Sequence, residues 1–348
     1  MKAAVLVQQN EPLLVKEFDV HEPTGHQVLV RISVSGICGA QINEIRGVKG
    51  PDAFLPHLLG HEGSGVVENI GDRVTKVAPG DRVVLHWREG AGGAGPFPRY
   101  RSADGYSAGG GYVTSLASRA LIAENRVTKI DSSIPFDVAA LFGCGISTGY
   151  GIVQNELKLE RGATLAVIGS GGVGLNVIRA ASLAGASAVV AVDRVSGTKE
   201  ALTRALGASD YVRLQSPELL PSVLQERCAR GFDAIVETTG DVRLMQEAFK
   251  ALAKSGTLML VGQPRARTKL VIEPALDLFT GKRLRVSEGG QFQPDRDMAK
   301  LQALYRQDQT AMRNIITHTY KLREINEAIA TVESGLCGRV LIDMESTA

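Results

Sequence analysis

The chain has no dominant charge. Lys+Arg 39 against Asp+Glu 37 leaves +2, which excludes bulk electrostatic attraction to nucleic acid or to an anionic membrane. Long apolar runs are also missing. Only five apolar residues separate Lys2 from Gln8, too few for a signal-peptide core or a membrane span. The longest apolar stretch, residues 163–192, is interrupted by a glycine cluster, Asn176 and Arg179, so it reads as strand, turn and helix. Cysteine is scarce and scattered, at Cys38, Cys144, Cys228 and Cys337. Without a secretion signal, such spacing excludes a disulfide framework and favours thiols or metal ligands. The expected location is the cytoplasm, with no nucleic-acid or membrane partner.

What is present is the composition of a globular protein: 44% hydrophobic residues, 22% charged and a mean hydropathy of +0.02. At about 150 residues per domain, 348 residues suggest roughly two domains. Residues 1–150 show short apolar runs with period-2 alternation, such as Val28, Val30, Ile32 and Val34, between Gly/Pro/Asp turns, which predicts a β-rich domain. The Gly-rich stretch from Arg88 to Gly111 is expected to be a long loop. Residues 151–286 alternate strand and helix, with strands expected near 164–168, 188–193, 210–213, 233–237, 256–261 and 283–286. That rhythm predicts an α/β domain with a doubly wound parallel sheet. Residues 287–348 carry two helical stretches and a last strand, Arg339-Val-Leu-Ile-Asp343, and are expected to pack back on the first domain.

Within the second domain, Leu165-Ala-Val-Ile168 runs into Gly169-Ser-Gly-Gly-Val-Gly174 and then a helix-forming segment. In such a turn Gly169 permits the reversal, Gly171 lets backbone approach a pyrophosphate, and Gly174 lets helix and strand pack closely. The helix N-terminus, from Gly172 and Val173, offers free N–H groups to phosphates. Asp193 ends the next strand, 19 residues beyond Gly174. An acid there accepts from ribose hydroxyls and repels a 2′-phosphate, so NAD is favoured, although the following Arg194 weakens the preference.

In the first domain Cys38 lies in Ser35-Gly-Ile-Cys-Gly39, His61 in Leu59-Gly-His-Glu-Gly63 and Cys144 in Phe142-Gly-Cys-Gly145. Two thiolates and an imidazole that leave one position open form a catalytic rather than a structural zinc site. Gly60-His-Glu-Gly-Ser-Gly65, Val77-Ala-Pro-Gly-Asp-Arg-Val83, Gly143-Cys-Gly-Ile-Ser-Thr148 and the glycine turn occur in this order along the chain. With them the sequence resembles the zinc-dependent medium-chain alcohol and polyol dehydrogenases. The resemblance implies a GroES-like catalytic domain, a Rossmann domain and an active site in a cleft between them. It implies one zinc held by Cys38, His61 and Cys144, with Glu62 able to approach the metal. It also implies nicotinamide contacts from Thr148, Val261-Gly262 and Gly289-Gly290, a cofactor-phosphate contact from Arg339, and Trp87 in the substrate pocket. A homo-oligomer, dimer or tetramer, is a further implication.

The chain also departs from the family. No cysteine occurs between Trp87 and Leu121, where many members carry a structural zinc lobe, so at most one zinc per chain is expected. Ala40 and Asn43 stand where the family usually has a Ser or Thr and a His that carry the alcohol proton away, and Gln41 replaces the usual Asp. A substitute relay is expected from His86 or Glu44, with His57 a further nearby group. Leu85-His-Trp-Arg-Glu-Gly90 and Val127, after Glu124-Asn-Arg126, resemble a subgroup acting on sugars, polyols and cyclitols. The loop bearing Arg99, Tyr100, Arg101 and Asp104 is a candidate to bind such substrates. Arg265, Arg267 and Lys269 form either a phosphate contact or a solvated face. The reading is an NAD-dependent zinc dehydrogenase that interconverts a secondary alcohol and its ketone. The alternatives are a zinc-free quinone or enone reductase of the same superfamily and a non-catalytic dinucleotide-binding protein.

Overall fold

The computed structural model of the chain describes residues 1–195 and 197–344. The last four residues of the expected C-terminal segment lie outside that range. The chain divides into two compact units. One holds Met1–Ser147, Phe292–Ser334 and the strand from Arg339; the other holds Thr148–Gln291 with Gly335–Gly338.

The first unit is built on two sheets. The larger has the order Val127–Lys129, Arg82–His86, Glu62–Ile70, Gln27–Ile37, Arg339–Asp343, Ile316–Lys321, and Arg119–Ala123 also pairs with Gln27–Ile37. Its central strand buries the alternating Val28, Val30 and Ile32, as period-2 patterning requires of a sheet with a core face. The C-terminal strand joins this sheet antiparallel, with Ile342 opposite Ser35. The smaller sheet has the order Leu14–Glu17, Lys2–Leu6, His57–Leu58, Ser107–Gly109, Arg99–Arg101. Its core gathers Ala3, Val5, Phe18, Leu58, Tyr100 and Leu121.

The last two strands of that sheet correct one expectation. The segment 88–111 is not wholly loop, because Arg99–Arg101 pairs with Ser107–Gly109 around a turn at 102–106. Burial of one aromatic decides it. Tyr100 is fully buried, its hydroxyl accepts from the Leu121 N–H at 3.1 Å, and burial pushes its pKa up to about 12. The remaining loop is pinned from beneath by Glu124, which accepts from the N–H groups of Lys76 at 2.7 Å and Gly93 at 2.9 Å.

The second unit is a six-stranded parallel sheet with the order Asp210–Arg213, Ala188–Asp193, Thr164–Ile168, Phe232–Glu237, Leu252–Leu260, Arg283–Val286. Numbered along the chain, this is 3-2-1-4-5-6, the doubly wound order whose crossovers reverse direction between the first and fourth strands. Phe232, Phe249, Ile235 and Leu258 fill its core. The expected parallel strands fall where the apolar rhythm puts them, except that the fifth begins at Leu252 rather than 256. Among the described residues, no single helix is long and apolar enough to cross a membrane.

Candidate metal and dinucleotide sites

Three separate elements of the first unit deliver one donor each to a common point. Cys38 ends the Gln27–Ile37 strand and caps the Gly39–Ile45 helix, and its N–H donates to Gln41 Oε1 at 2.6 Å. His61 follows Gly60, which has φ +107; a Cβ there would lie 2.5 Å from the Leu116 nitrogen, so only glycine lets the chain deliver the imidazole here. Cys144 follows the buried Phe136–Phe142 helix across Gly143, where a Cβ would meet Leu85 O at 2.2 Å.

The donor atoms of Cys38, His61 and Cys144 all lie within 4.8 Å of one another. Both cysteines are 8% exposed, and His61 Nε2 is buried with no hydrogen-bond partner. An orphaned buried nitrogen beside two thiols is costly unless a cation completes it. The hydrogen bond with Cys144 holds the Cys38 thiol well below its ordinary value, against burial, with help from His61 and Arg339. Two soft sulfurs and an imidazole nitrogen form a donor set suited to zinc.

Glu62 does not join this group. It follows His61 at the start of the Glu62–Ile70 strand, and successive strand side chains face opposite ways. Its carboxylate forms a buried ion pair with Arg339 and accepts from the Gly145 N–H at 3.0 Å. Arg339, expected at the cofactor phosphates, thus has a carboxylate partner, and its charge acts on Cys38. The expected role of His86 also fails on geometry. Its Nδ1 is 2.6 Å from the Arg88 carbonyl oxygen and its Nε2 is 2.9 Å from Thr128 Oγ1. Burial lowers its pKa to about 4, so the ring is neutral at ordinary pH and both nitrogens are engaged. Trp87 is half-buried, with the Arg88 guanidinium 5.4 Å from its ring centroid. Of the loop residues proposed for substrate, Tyr100 is core, Asp104 pairs with Lys16 at 3.1 Å, and Arg99 and Arg101 are exposed. Arg265, Arg267 and Lys269 are all exposed.

In the second unit the glycines of the turn differ in what surrounds them. Gly169 has φ +91, and a Cβ on it would lie 2.5 Å from Thr238 Oγ1. A Cβ on Gly174 would lie 1.9 Å from Gly169 O, so strand and helix could not pack. A Cβ on Gly171, by contrast, meets nothing within 4 Å. The protein does not need glycine there for its own packing. The open space lies at the cap of the Gly172–Leu183 helix, which has no side chain on its first N–H groups, and it fits a pyrophosphate.

Asp193 stands at the carboxyl end of the next strand and accepts from the Ser170 N–H at 2.8 Å and from its own neighbour, Arg194 N–H, at 2.7 Å. Arg194 is exposed. Of the nicotinamide-side candidates, Gly290 packs against Thr148, where a Cβ would lie 2.5 Å from Thr148 O, while Val261 and Gly262 donate their N–H groups to Glu237 O at 2.8 and 3.0 Å.

Two residues here escaped the reading of the sequence. Lys199 is 4% exposed, donates to Ser170 O at 2.8 Å and interacts with the Asp193 charge. Glu237 is fully buried at the end of its strand, and burial pushes its pKa up to about 7. The sequence signals were a lysine six residues after Asp193 and an acid closing an apolar strand.

Known family models match segments of both units. The alcohol dehydrogenase GroES-like domain matches residues 24–132, and the zinc-binding dehydrogenase domain matches residues 172–304. An S-(hydroxymethyl)glutathione dehydrogenase of Saccharomyces cerevisiae is 30% identical over 372 aligned positions, covering 98% of this chain and 95% of that protein. The benzyl alcohol dehydrogenase of Acinetobacter calcoaceticus superposes with a TM-score of 0.87 at 26% identity over 99% of both chains. An alcohol dehydrogenase zinc-binding domain protein of Burkholderia ambifaria gives 0.88 at 28%, over 99% of this chain and 98% of that one.

Proposed function

The chain belongs to the zinc-type medium-chain dehydrogenase family, and from that premise we propose that it is an NAD-dependent zinc enzyme. Its reaction interconverts a secondary alcohol of a polyol, sugar or cyclitol with the corresponding ketone. The observation that carries the reading is the convergence of Cys38, His61 and Cys144 around the unpartnered His61 Nε2. A zinc-free reductase of the superfamily would have no use for this donor set.

Cys38, His61 and Cys144 would hold the metal, which supplies the Lewis acidity that favours the ionised form of a substrate hydroxyl. The chain's own part is orientation. The Glu62–Arg339 pair fixes the backbone at Gly145, next to Cys144, and Gln41 fixes Cys38. Gly171 to Gly174 would receive the cofactor pyrophosphate, Asp193 and Lys199 the adenine ribose, and Thr148 with Val261, Gly262 and Gly290 the ring that exchanges hydride. Asp193 disfavours a 2′-phosphate, which supports NAD over NADP. Thiol ligands require a reducing compartment, which supports the cytoplasm. A homo-oligomer fits the outer edge of the Arg283–Val286 strand, where Val286 is exposed.

The test is NADH formation by the zinc-loaded protein across polyols, cyclitols and simple alcohols. The expected result is higher kcat/KM for a polyhydroxylated secondary alcohol with NAD than for benzyl alcohol, and little turnover with NADP. A preference for benzyl alcohol or for NADP would contradict the substrate or cofactor assignment respectively.

A further inference from the structure

This inference rests on the dehydrogenase reading, which leaves the substrate hydroxyl's proton without a carrier. Ala40 and Asn43 do not titrate, and both nitrogens of His86 are engaged. Glu44 and His57, both near the expected relay, meet in a second cluster of the first unit together with Asp52. One donor atom each from Glu44, Asp52 and His57 lie within 4.8 Å of one another. His57 Nε2 is 2.8 Å from Asp52 Oδ2 and 3.8 Å from Glu44 Oε1. On the other edge of the ring, Nδ1 is 2.9 Å from the Leu58 carbonyl oxygen, which can only accept, so Nδ1 carries a hydrogen. Nε2 therefore faces two carboxylates. A lone pair aimed at two anions is repelled; the arrangement is favourable only with a proton or a cation between them.

The cluster and the metal donors share or adjoin segments of the chain. Glu44 lies on the Gly39–Ile45 helix that Cys38 caps, one turn beyond Ala40 on the same face. At 1.5 Å per residue, that puts its backbone about 9 Å along the axis from Cys38. His57 precedes His61 with only Leu58, Leu59 and Gly60 between them. The side chains of His57 and Asp52 are 12% and 10% exposed, whereas Glu44 is 40% exposed. The cluster therefore runs from a sheltered ring to a carboxylate that reaches solvent.

We propose that His57, held by Asp52 and Glu44, is the acid–base residue that exchanges the substrate hydroxyl's proton with solvent. In oxidation the hydroxyl O–H bond breaks and its proton passes, directly or through one water, to neutral His57 Nε2. The C–H bond breaks at the same carbon, its hydride and electron pair go to the nicotinamide, and the C=O bond forms. The imidazolium then releases its proton through Glu44 to water, so NAD and alcohol become NADH, ketone and one proton. In reduction the same N–H supplies the proton.

The electrostatics agree with the geometry. Burial opposes the charge, but the Leu58 carbonyl and the Asp52 and Glu44 carboxylates raise the His57 pKa above its ordinary value. The strands paired with His57–Leu58 present Leu6 and Gly109 opposite His57, so no further titratable group enters from them at that register. His57 therefore holds its second proton to higher pH than a free imidazole does, which favours ketone reduction on the acid side of its titration and alcohol oxidation on the alkaline side.

Two measurements on the zinc-loaded protein test this. NMR titration should place the His57 ring above the ordinary 6.5, falling in Asp52→Asn. Rate–pH profiles in both directions should show oxidation rising with pH in the wild type. In His57→Gln that rise should flatten and turnover should fall about 100-fold, while in Glu44→Gln the rise should move to lower pH. Zinc per chain and the Kd for NADH should stay within about twofold of wild type. An unchanged pH profile in both His57→Gln and Glu44→Gln would overturn the proposal, as would a ring titrating at or below 6.5. So would a second metal ion per chain that His57→Gln removes, which would assign the cluster to a cation. A wild type that transfers no hydride from any alcohol overturns this proposal and the dehydrogenase reading together; an active wild type indifferent to His57→Gln overturns only this one.

Discussion

The two sites are made in opposite ways. In the first unit, side chains from positions 38, 61 and 144 meet at a point, and the backbone serves to deliver them. In the second, one contiguous turn from Gly169 to Gly174 offers backbone N–H groups and open space, and most side chains are excluded. A side-chain site is erased by changing one donor while the fold survives. A backbone site is insensitive to most chemistry and sensitive to a single added carbon, and where that carbon is added decides whether folding or binding suffers.

The glycine turn supplies the largest expected effect. Gly174→Ala places a Cβ 1.9 Å from Gly169 O, and the second unit should lose its cooperative unfolding transition in calorimetry. A normal transition would show that the helix can retreat from the strand. Next comes the buried ion pair of the first unit. Glu62→Gln leaves the Arg339 charge without its partner and should cost about 3–5 kcal/mol in denaturant unfolding. A loss below about 1 kcal/mol would mean that solvent reaches the pair.

The units should also differ in their response to pH. His86 in the first unit is buried with its pKa lowered to about 4 from 6.5. The unfolded chain therefore binds this proton first, and stability is lost as pH falls from 6.5 toward 4, by up to about 3 kcal/mol. Glu237 in the second unit has its pKa raised to about 7 from 4.5. Its contribution is greatest below pH 4.5 and is lost as pH rises to about 7, by a similar amount. Glu237→Gln should remove only the neutral-side loss and His86→Phe only the acid-side loss, as read by melting temperature against pH. The smallest effect returns to the turn. Gly171→Ala adds a Cβ that meets nothing, so the protein should melt normally while its affinity for NADH falls about tenfold. A lowered melting temperature would mean that the residue serves packing after all.

The same contrast explains what could be read from the sequence. The second unit was legible nearly strand by strand, because parallel strands buried on both faces are continuous apolar runs and most of the turns between elements carry glycine. The start of Leu252–Leu260 was missed because Lys254 and Ser255 interrupt its apolar run. In the first unit the three donors were legible from their motifs. Glu62 looked like part of the centre because it adjoins His61, yet strand alternation turns it toward Arg339. The hairpin around residues 102–106 was hidden by surrounding glycines, and only the burial of Tyr100 reveals it. The cluster of Glu44, Asp52 and His57 draws on a helix, a loop and a strand, a meeting that no local pattern encodes.

The central claim is that Cys38, His61 and Cys144 hold one catalytic zinc. Metal content per chain, measured on protein purified without chelator for the wild type and Cys38→Ser, tests it most directly. About one zinc is expected in the wild type, lost in Cys38→Ser with the fold retained. No zinc in either protein would contradict it.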